Sequence, residues 1–318
     1  MQSFQILITG GAGFIGTHLC QSLVKSGHRI RVLDLKIPPT PVPGVEYIQG
    51  DVRDLKTLKS SMAIGNSFVD VVYHFAAIVS VPICQKKLVE SYETNVLGTA
   101  RVIEAIRKSS RTVRLIFASS SAVYGSLGDS REPLLEDSDT LPLGYYAAQK
   151  LASEHLIQIA HATEGLPAII FRFFNVYGIG QDPTSPYSGV ITVFSHRIRE
   201  KLPISLHGGG TQTRDFISVH DIISACNNTL TLPEIQCDAR PINLATGQAI
   251  SIRELAKLMV KISGYEIPLI DKPARKGDVY HSLASVTRAR KVFRNQHGWQ
   301  PKMSLETGLR ELLTSSTT

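Results

Sequence analysis

Apolar residues in the first 175 positions follow two alternating patterns. Short β-branched runs are typical of buried strands, whereas apolar residues repeated at spacings of three and four are typical of amphipathic helices. Strands are predicted at 5–9, 30–34, 45–49, 69–75, 114–118 and 168–173, and helices at 15–25, 55–62, 89–108 and 145–161. Strands that alternate with helices predict the α/β class, here a doubly wound parallel sheet.

The pattern changes after Asn175, where Pro and Gly become frequent between 178 and 189 and the helices become shorter. Helices are predicted near 190–200, 221–230, 252–263 and 305–313, with short strands near 204–206 and 242–244. We therefore expect one domain at 1–175 and a smaller C-terminal α/β domain at 176–318. The pattern leaves open whether the chain crosses between the two.

With 318 residues, of which 43% are hydrophobic and 19% charged, the chain has an ordinary globular composition. Its first residues lead directly into a strand pattern without a basic and apolar export segment, which favours a cytoplasmic protein. The most apolar later stretch, 69–84, is interrupted by Asp70, His74 and Pro82. A membrane helix needs about 20 apolar residues, so none is expected.

The net charge is +7, but the basic residues are scattered along the chain. We therefore expect no nucleic-acid partner, and the mildly basic surface is compatible with an anionic small substrate. The four cysteines, Cys20, Cys84, Cys226 and Cys237, lie far apart and lack the spacing of metal ligands. They are predicted to be reduced, mostly buried thiols, and no metal is expected.

A glycine-rich turn, with Gly10, Gly13 and Gly16, joins the first predicted strand to the first helix. Glycine allows a tight turn, a close approach of backbone N–H groups to a pyrophosphate, and close packing of the helix on the sheet. Phe14 and Ile15 would open a helix whose positive end faces the phosphates. The turn thus predicts a Rossmann-type dinucleotide-binding domain.

Asp34 ends the second strand, 18 residues beyond Gly16. A carboxylate at this place accepts hydrogen bonds from the adenosine ribose hydroxyls and repels a 2′-phosphate, which favours NAD over NADP. Arg29, Arg31 and Lys36 are close in sequence and leave NADP open.

Further candidates follow the third and fourth strands, at the sheet edge where ligands of open α/β sheets gather. They are Asp51, Val52, Phe75, Ala76 and Ala77. A structural interpretation is the alternative: Asp51 would cap a helix and the alanines would allow close packing.

Tyr146 and Lys150 have the Tyr-x-x-x-Lys spacing, which places both side chains on one face of a helix. Tyrosine is a poor base at neutral pH, but an adjacent ammonium favours its phenolate. Ser119, Ser120 and Ser121 follow the fifth strand and would bring a hydroxyl beside the tyrosine. This combination predicts proton transfer at a substrate hydroxyl, whereas the alternative for the serines is a simple turn.

These segments resemble the extended short-chain dehydrogenase/reductase family, in its NAD-dependent epimerase/dehydratase branch, over nearly the whole chain. The other matching segments are 74–77, 95–99, 172–178, 214–216 and 275–278. The resemblance implies that Tyr146 exchanges the proton of a sugar 4-hydroxyl, that Ser120 is the catalytic hydroxyl, and that Lys150 holds the nicotinamide ribose. It also implies NAD contacts or support from the following residues: Ser119, Asn95 and Phe174.

The resemblance further implies a UDP-sugar substrate and a homodimer built on the helices that contain Asn95 and Tyr146. Its implied substrate contacts are Ser80, Val81, Asn175, Ser188, Gly189, Val190, Arg214 and Arg275. The small residue Ser282, seven past Arg275, would leave room for an N-acetyl group. Both UDP-hexoses and UDP-N-acetylhexosamines are therefore expected, converted through a transient 4-keto sugar.

Related reactions remain as alternatives: 4,6-dehydration, decarboxylation or reduction of a sugar nucleotide. Dehydratases of this branch carry an acidic pair after the catalytic hydroxyl, where this chain has Ser121 and Ala122. That difference favours an epimerase. A protein that binds NAD as a sensor without turnover is an alternative of another class, although such proteins commonly lose the tyrosine and lysine retained here.

Overall fold

The computed structural model describes residues 3–65, 67–125, 131–181, 189–274, 279–295 and 298–315. In chain order its strands are β1 (Gln5–Thr9), β2 (Arg29–Asp34), β3 (Val45–Gln49), β4 (Ala63–Ile64), β5 (Ser67–Phe68), β6 (Val71–His74), β7 (Arg114–Ser120), β8 (Ala168–Phe173), β9 (Asn175–Tyr177), β10 (Ile204–His207), β11 (Thr213–Ser218), β12 (Asp238–Leu244), β13 (Ala249–Ser251) and β14 (Leu269–Lys272). The helices are α1 (Phe14–Lys25), α2 (Leu55–Ser61), α3 (Val81–Lys86), α4 (Leu88–Tyr92), α5 (Gly98–Arg107), α6 (Tyr145–Glu164), α7 (Val190–Arg199), α8 (Val219–Asn228), α9 (Ile252–Ser263), α10 (Thr287–Val292) and α11 (Leu305–Thr314).

The main sheet is parallel, in the order β12-β8-β7-β6-β1-β2-β3. Strand order reverses at β1, and helices cover both faces, so the predicted doubly wound Rossmann-type fold is confirmed. Along β1, Ile6 and Ile8 are buried in the core layer that includes α1 and α8, while Leu7 is buried in the layer that includes α2 and α5. The alternation of a strand therefore builds two cores from one apolar run.

Two smaller sheets are formed by strands that come after β8 in the chain. Strand β11 pairs in parallel with β9 and antiparallel with β13, and β10 pairs in parallel with β14. Helices α7, α9 and α11 enclose a separate hydrophobic core around Leu206, Leu255 and Leu309. The predicted strand near 204–206 and the four predicted helices of this part are present, with ends shifted by at most two residues.

The prediction of six strands in the main sheet is wrong, because a seventh strand joins it. The segment predicted near 242–244 is β12, which pairs with β8 at the edge of the first sheet. Pro241 lacks an N–H donor, and an edge strand tolerates this loss. A register shift between Asp238 and Pro241 accompanies the positive φ of 56° at Ala239.

The helix predicted over 89–108 is present, because the chain is helical from Leu88 to Arg107, but it is not one regular α-helix. The structure has α4, a π-helical segment at Glu93–Leu97 and α5 in its place, and α3 precedes them with Pro82 in its first turn. A π-helical turn widens the helix, and such turns are frequent at functional sites. The apolar spacing did not reveal it, because π turns retain helical periodicity on both sides.

Within the described residues, no helix has the length and apolar content that a membrane crossing requires. All four cysteines are free and buried. Burial raises the pKa of the Cys20 thiol to about 12, so this thiol is neutral at pH 7.

Candidate active site

The glycine turn between β1 and α1 lies directly against the end of β6. Gly10 has a φ of +72°, and a Cβ there would lie 2.5 Å from the backbone nitrogen of Ala76. A Cβ at Gly16 would lie 2.6 Å from the Cα of Gly11. The helix begins without a side-chain cap at Gly13, so its first N–H groups remain available to an anion. A narrow glycine cradle beside free donors fits the pyrophosphate of NAD.

Asp34 stands at the end of β2 beside this turn. Its carboxylate accepts hydrogen bonds from the backbone N–H groups of Ala12, at 3.0 Å, and Lys36, at 3.2 Å. Arg31 is buried and donates to both carboxylate oxygens of Glu46, at 2.8 and 2.7 Å. Its guanidinium is therefore engaged by Glu46, while Arg29 and Lys36 are exposed.

Asp51 accepts hydrogen bonds from the side chain of Arg53 at 2.6 and 2.9 Å, and these lower the pKa of its carboxyl. The alternative that Asp51 caps the next helix is wrong, because Asp54 caps α2 by accepting the N–H of Lys56. Val52 is buried, and a Cβ at Gly98 would lie 3.0 Å from its side chain.

Phe75, Ala76 and Ala77 continue from β6 and are partly exposed at the carboxyl edge of the sheet. The preceding His74 is buried between the hydroxyls of Thr9, at 2.7 Å, and Thr99, at 3.1 Å. Burial lowers the pKa of His74 to about 3, so the ring is neutral at pH 7. It joins β1, β6 and α5 rather than acting as an acid.

Tyr146 lies in the first turn of α6, and Ser120 ends β7. The nearby hydroxyl of Ser120 lowers the pKa of Tyr146, but burial outweighs this effect and raises that pKa to about 12. Ser120 also accepts the N–H of Ala122 at 3.2 Å and so begins the short 3₁₀ turn Ser121–Tyr124. The phenol is therefore protonated at pH 7.

Lys150 lies one turn further along α6 and is buried. Its ammonium donates to the carbonyl oxygen of Ala118 at 2.7 Å and lies 4.7 Å from the ring centre of Phe117. Burial lowers the pKa of Lys150 to about 8, and the charge of Glu154 opposes this shift. The ammonium is thus held against β7, one turn after Tyr146 on α6.

Sequence reasoning missed Glu154, which lies one turn after Lys150 on α6 and binds residues of β7 and β8. The Glu154 carboxylate accepts hydrogen bonds from the hydroxyl of Ser119 and from Arg172, at 2.7 Å from its Nη2. Glu154 and Arg172 are 0% and 4% exposed. Ser119 and Ser120 therefore point to different partners, as adjacent residues of a strand do. A carboxylate four residues after Lys150 and an arginine within an apolar strand were the available signals.

Asn95 lies in the π segment and is buried. Its amide accepts the N–H of Ile78 at 2.8 Å and donates to the carbonyl of the same residue at 3.0 Å. These two hydrogen bonds fix the position of the chain immediately after Ala77. Phe174 is buried in a small hydrophobic cluster beside Tyr124.

A cavity of about 510 Å³ lies between β9, β11 and the start of α7. Its lining includes four of the predicted substrate contacts: Asn175, Gly189, Val190 and Arg214. Arg214 donates to the carbonyl of Thr213 at 2.9 Å, and Asn175 donates to the carbonyl of Asp215 at 2.8 Å. The cavity therefore contains a guanidinium and a carboxamide on neighbouring strands.

The remaining predicted substrate residues are dispersed. Ser80 is buried and accepts the N–H of Ile83 at 3.2 Å at the start of α3, whereas Val81 is exposed. Ser282 is buried, and its N–H donates to the carbonyl of Thr213 at 3.1 Å, next to Arg214. The predicted contacts Ser188 and Arg275 lie outside the described residues.

Comparisons with known proteins show the family to which the chain is related. The model of the NAD dependent epimerase/dehydratase family matches residues 6–245. A curated UDP-glucose 4-epimerase from Halalkalibacterium halodurans is 31% identical and covers 95% of this chain and 92% of its own length. A UDP-N-acetyl-alpha-D-glucosaminuronate decarboxylase from Bacillus cytotoxicus is also 31% identical and covers 96% of both chains.

Solved structures resemble the whole chain. The crystal structure of UDP-glucose 4-epimerase from Thermotoga maritima with UDP-glucose has a TM-score of 0.89 and 29% identity, covering 97% of both chains. The UDP-glucose 4-epimerase of Thermus thermophilus in complex with NAD has a TM-score of 0.85 and 30% identity, again covering 97% of both chains.

Proposed function

Since the chain belongs to the NAD-dependent epimerase/dehydratase family, with NAD as its cofactor, we propose that it inverts C4 of a UDP-hexose or UDP-N-acetylhexosamine. The reaction passes through a transient 4-keto sugar. The observation that carries the proposal is the meeting of Tyr146 and Ser120 at the carboxyl edge of the sheet, with the ammonium of Lys150 one helical turn away.

In this proposal Ser120 hydrogen-bonds the reacting 4-oxygen while the phenol of Tyr146 takes and later returns its proton. Bound NAD supplies the hydride acceptor and a positive charge beside the phenol. Burial disfavours the phenolate, and a positive charge beside the phenol would favour it. Lys150 holds the nicotinamide ribose from its place against β7.

The cofactor also contacts the glycine cradle, Asp34 and the strand ends described above. We assign the adenosine ribose to Asp34, because its carboxylate is partly exposed beside the turn. Asp51, Val52 and residues 75–77 border the same edge of the sheet. Phe174 and Ser119 support this edge from the buried side.

The 510 Å³ cavity is the proposed site of the nucleotide diphosphate, since Arg214 and Asn175 both line it. A guanidinium grips phosphate oxygens in a fixed fork. Arg275 and Ser188 are proposed to complete this site. The small side chain of Ser282, beside the strand that bears Arg214, supports acceptance of an N-acetyl group.

Incubation of the purified protein with UDP-galactose and UDP-N-acetylgalactosamine tests the proposal, with the C4 epimers separated by chromatography. Tyr146→Phe should retain NAD and lose nearly all rate. Tyr145→Phe is the matched control, because this neighbour is 41% exposed and should keep its rate. Full activity of Tyr146→Phe would exclude the phenol as the base.

Decarboxylation of a UDP-uronic acid is the second candidate, favoured by the related enzyme from Bacillus cytotoxicus. It also begins with oxidation at C4, so it needs the same tyrosine and lysine. Release of carbon dioxide from UDP-glucuronic acid, without epimerisation of neutral sugars, would replace the epimerase proposal. If no nucleotide sugar reduces the bound NAD and no product forms, the protein would instead be a sensor that binds NAD without turnover.

We further propose a homodimer through α4 and α6. Val89 and Tyr92 on α4 and Ile159 on α6 are 70%, 52% and 58% exposed, which is high for large apolar side chains. Sedimentation should give a dimer mass, and Val89→Lys should shift it toward the monomer. A monomeric wild type at micromolar concentration would contradict this proposal.

A further inference from the structure

Gln149 is buried on α6, between Tyr146 and Lys150 in sequence, and its amide forms part of a chain of side-chain hydrogen bonds. Asn95 Nδ2 donates to Gln149 Oε1 at 2.8 Å. Gln149 Nε2 then donates to Ser91 Oγ at 2.8 Å, and the Ser91 hydroxyl donates to the carbonyl of Leu88 at 2.9 Å. The chain thus leads from the π segment through the catalytic helix to α4.

Backbone groups at both ends determine the direction of this chain. The N–H of Ile78 can only donate, so it orients the amide of Asn95 with its oxygen toward Ile78. The carbonyl of Leu88 can only accept, so the Ser91 hydroxyl must point to it. Gln149 is therefore left with one orientation, in which its oxygen accepts and its nitrogen donates.

The position of Gln149 makes this restraint relevant to the reaction. It is three residues after Tyr146 and precedes Lys150, so a hydrogen bond there limits rotation of the helical turn that bears both groups. At the other end, Asn95 holds Ile78, which follows the cofactor edge at 75–77. Ser153 adds a second tie, because its hydroxyl donates to the carbonyl of Asn95 at 2.8 Å.

We propose that Gln149 is a positioning residue, whose amide holds the turn of Tyr146 and Lys150 at a constant distance from the cofactor edge. The inference rests on the function proposed above. Gln149 takes no part in proton transfer. It acts by linking three separate segments whose relative placement brings the phenol, the ammonium and the nicotinamide-binding edge together.

Gln149→Met tests the inference, because methionine retains the length of the side chain and removes both hydrogen bonds. Gln158→Met is the matched control on the same helix, since Gln158 lies outside this chain of hydrogen bonds. With rates normalised to folded protein, kcat should fall about tenfold or more in Gln149→Met. The affinity for NAD should fall several-fold, and the KM for UDP-galactose should stay within about twofold.

If Gln149 had only a structural role, Gln149→Met would have a lower melting temperature but wild-type kcat and NAD affinity per folded molecule. That result would overturn the inference. If Gln149→Met fails to fold, Ser91→Ala replaces it, because it keeps the Gln149 side chain and removes the hydroxyl that accepts from Gln149 Nε2 and donates to Leu88. It should lower kcat and NAD affinity in the same direction by a smaller factor, and wild-type values would again refute the inference. If the wild type epimerises no UDP-sugar, the proposed function fails, while the NAD affinities still decide the role of Gln149.

Discussion

Gly10 offers the most direct test of the cofactor cradle. Replacing it with alanine has two separate costs. An L-residue in the left-handed region at φ +72° loses about 1–2 kcal/mol. The new Cβ would also lie 2.5 Å and 2.7 Å from the N and Cα of Ala76, and overpacking of this kind costs about 1–3 kcal/mol. Gly10→Ala should therefore lower the free energy of unfolding by about 2–5 kcal/mol.

The matched control is Gly165→Ala at the end of α6. Gly165 has a φ of +71°, and its Cβ would meet nothing within 4 Å. It should lose only the conformational part, about 1–2 kcal/mol. Urea denaturation measures both losses, and calorimetric titration with NAD measures the cradle itself. NAD affinity should fall at least about tenfold in Gly10→Ala and stay unchanged in Gly165→Ala.

The comparison between the two glycines isolates the close approach to Ala76. If both variants lose the same free energy of unfolding and both bind NAD normally, the backbone contact does not shape the cofactor site. If Gly10→Ala loses more stability but binds NAD normally, the contact is structural and the pyrophosphate lies elsewhere.

Three further predictions follow from buried charges and the ribose site. Below pH 8 the lowered pKa of Lys150 reduces the free energy of unfolding. Because the unfolded chain binds more protons than the folded chain between about pH 8 and 10.5, the wild type should gain stability relative to Lys150→Met as the pH rises over that range. Denaturation curves that show a constant difference between the two proteins would contradict this prediction. Glu154→Gln should lower the free energy of unfolding by about 3–5 kcal/mol, because it leaves the buried charge of Arg172 uncompensated. The double variant Glu154→Leu with Arg172→Met should recover most of that loss, as measured by thermal unfolding. Asp34→Asn should narrow the preference for NAD over NADP, measured as the ratio of dissociation constants; an unchanged ratio would remove Asp34 from the ribose site.

Much of the main sheet and the cofactor turn could be predicted from the chain. Local features decide them: β1 and β8 are short, mostly apolar runs with the predicted ends, and the glycines follow β1 directly. The seventh strand could not be predicted in the same way. Its place beside β8 depends on pairing between residues 70 or 71 positions apart, and its apolar pattern alone is equally suited to either sheet.

Side-chain direction and protonation also required the tertiary structure. Ser119 and Ser120 are equivalent as residue types, and only the position of Glu154 separates the buried hydroxyl from the one beside Tyr146. The Tyr-x-x-x-Lys spacing predicts one helical face, but the pKa of Lys150 depends on its burial against β7.

The amino-acid sequence by itself determined the doubly wound sheet, the glycine turn and the pairing of Tyr146 with Lys150, because each depends on residues close together in the chain. Only the tertiary structure decided which serine meets the phenol and where Gln149 and Glu154 make their hydrogen bonds. The physical reason is that desolvation and hydrogen-bond partners come from segments that are distant in sequence and meet only after the sheet has formed.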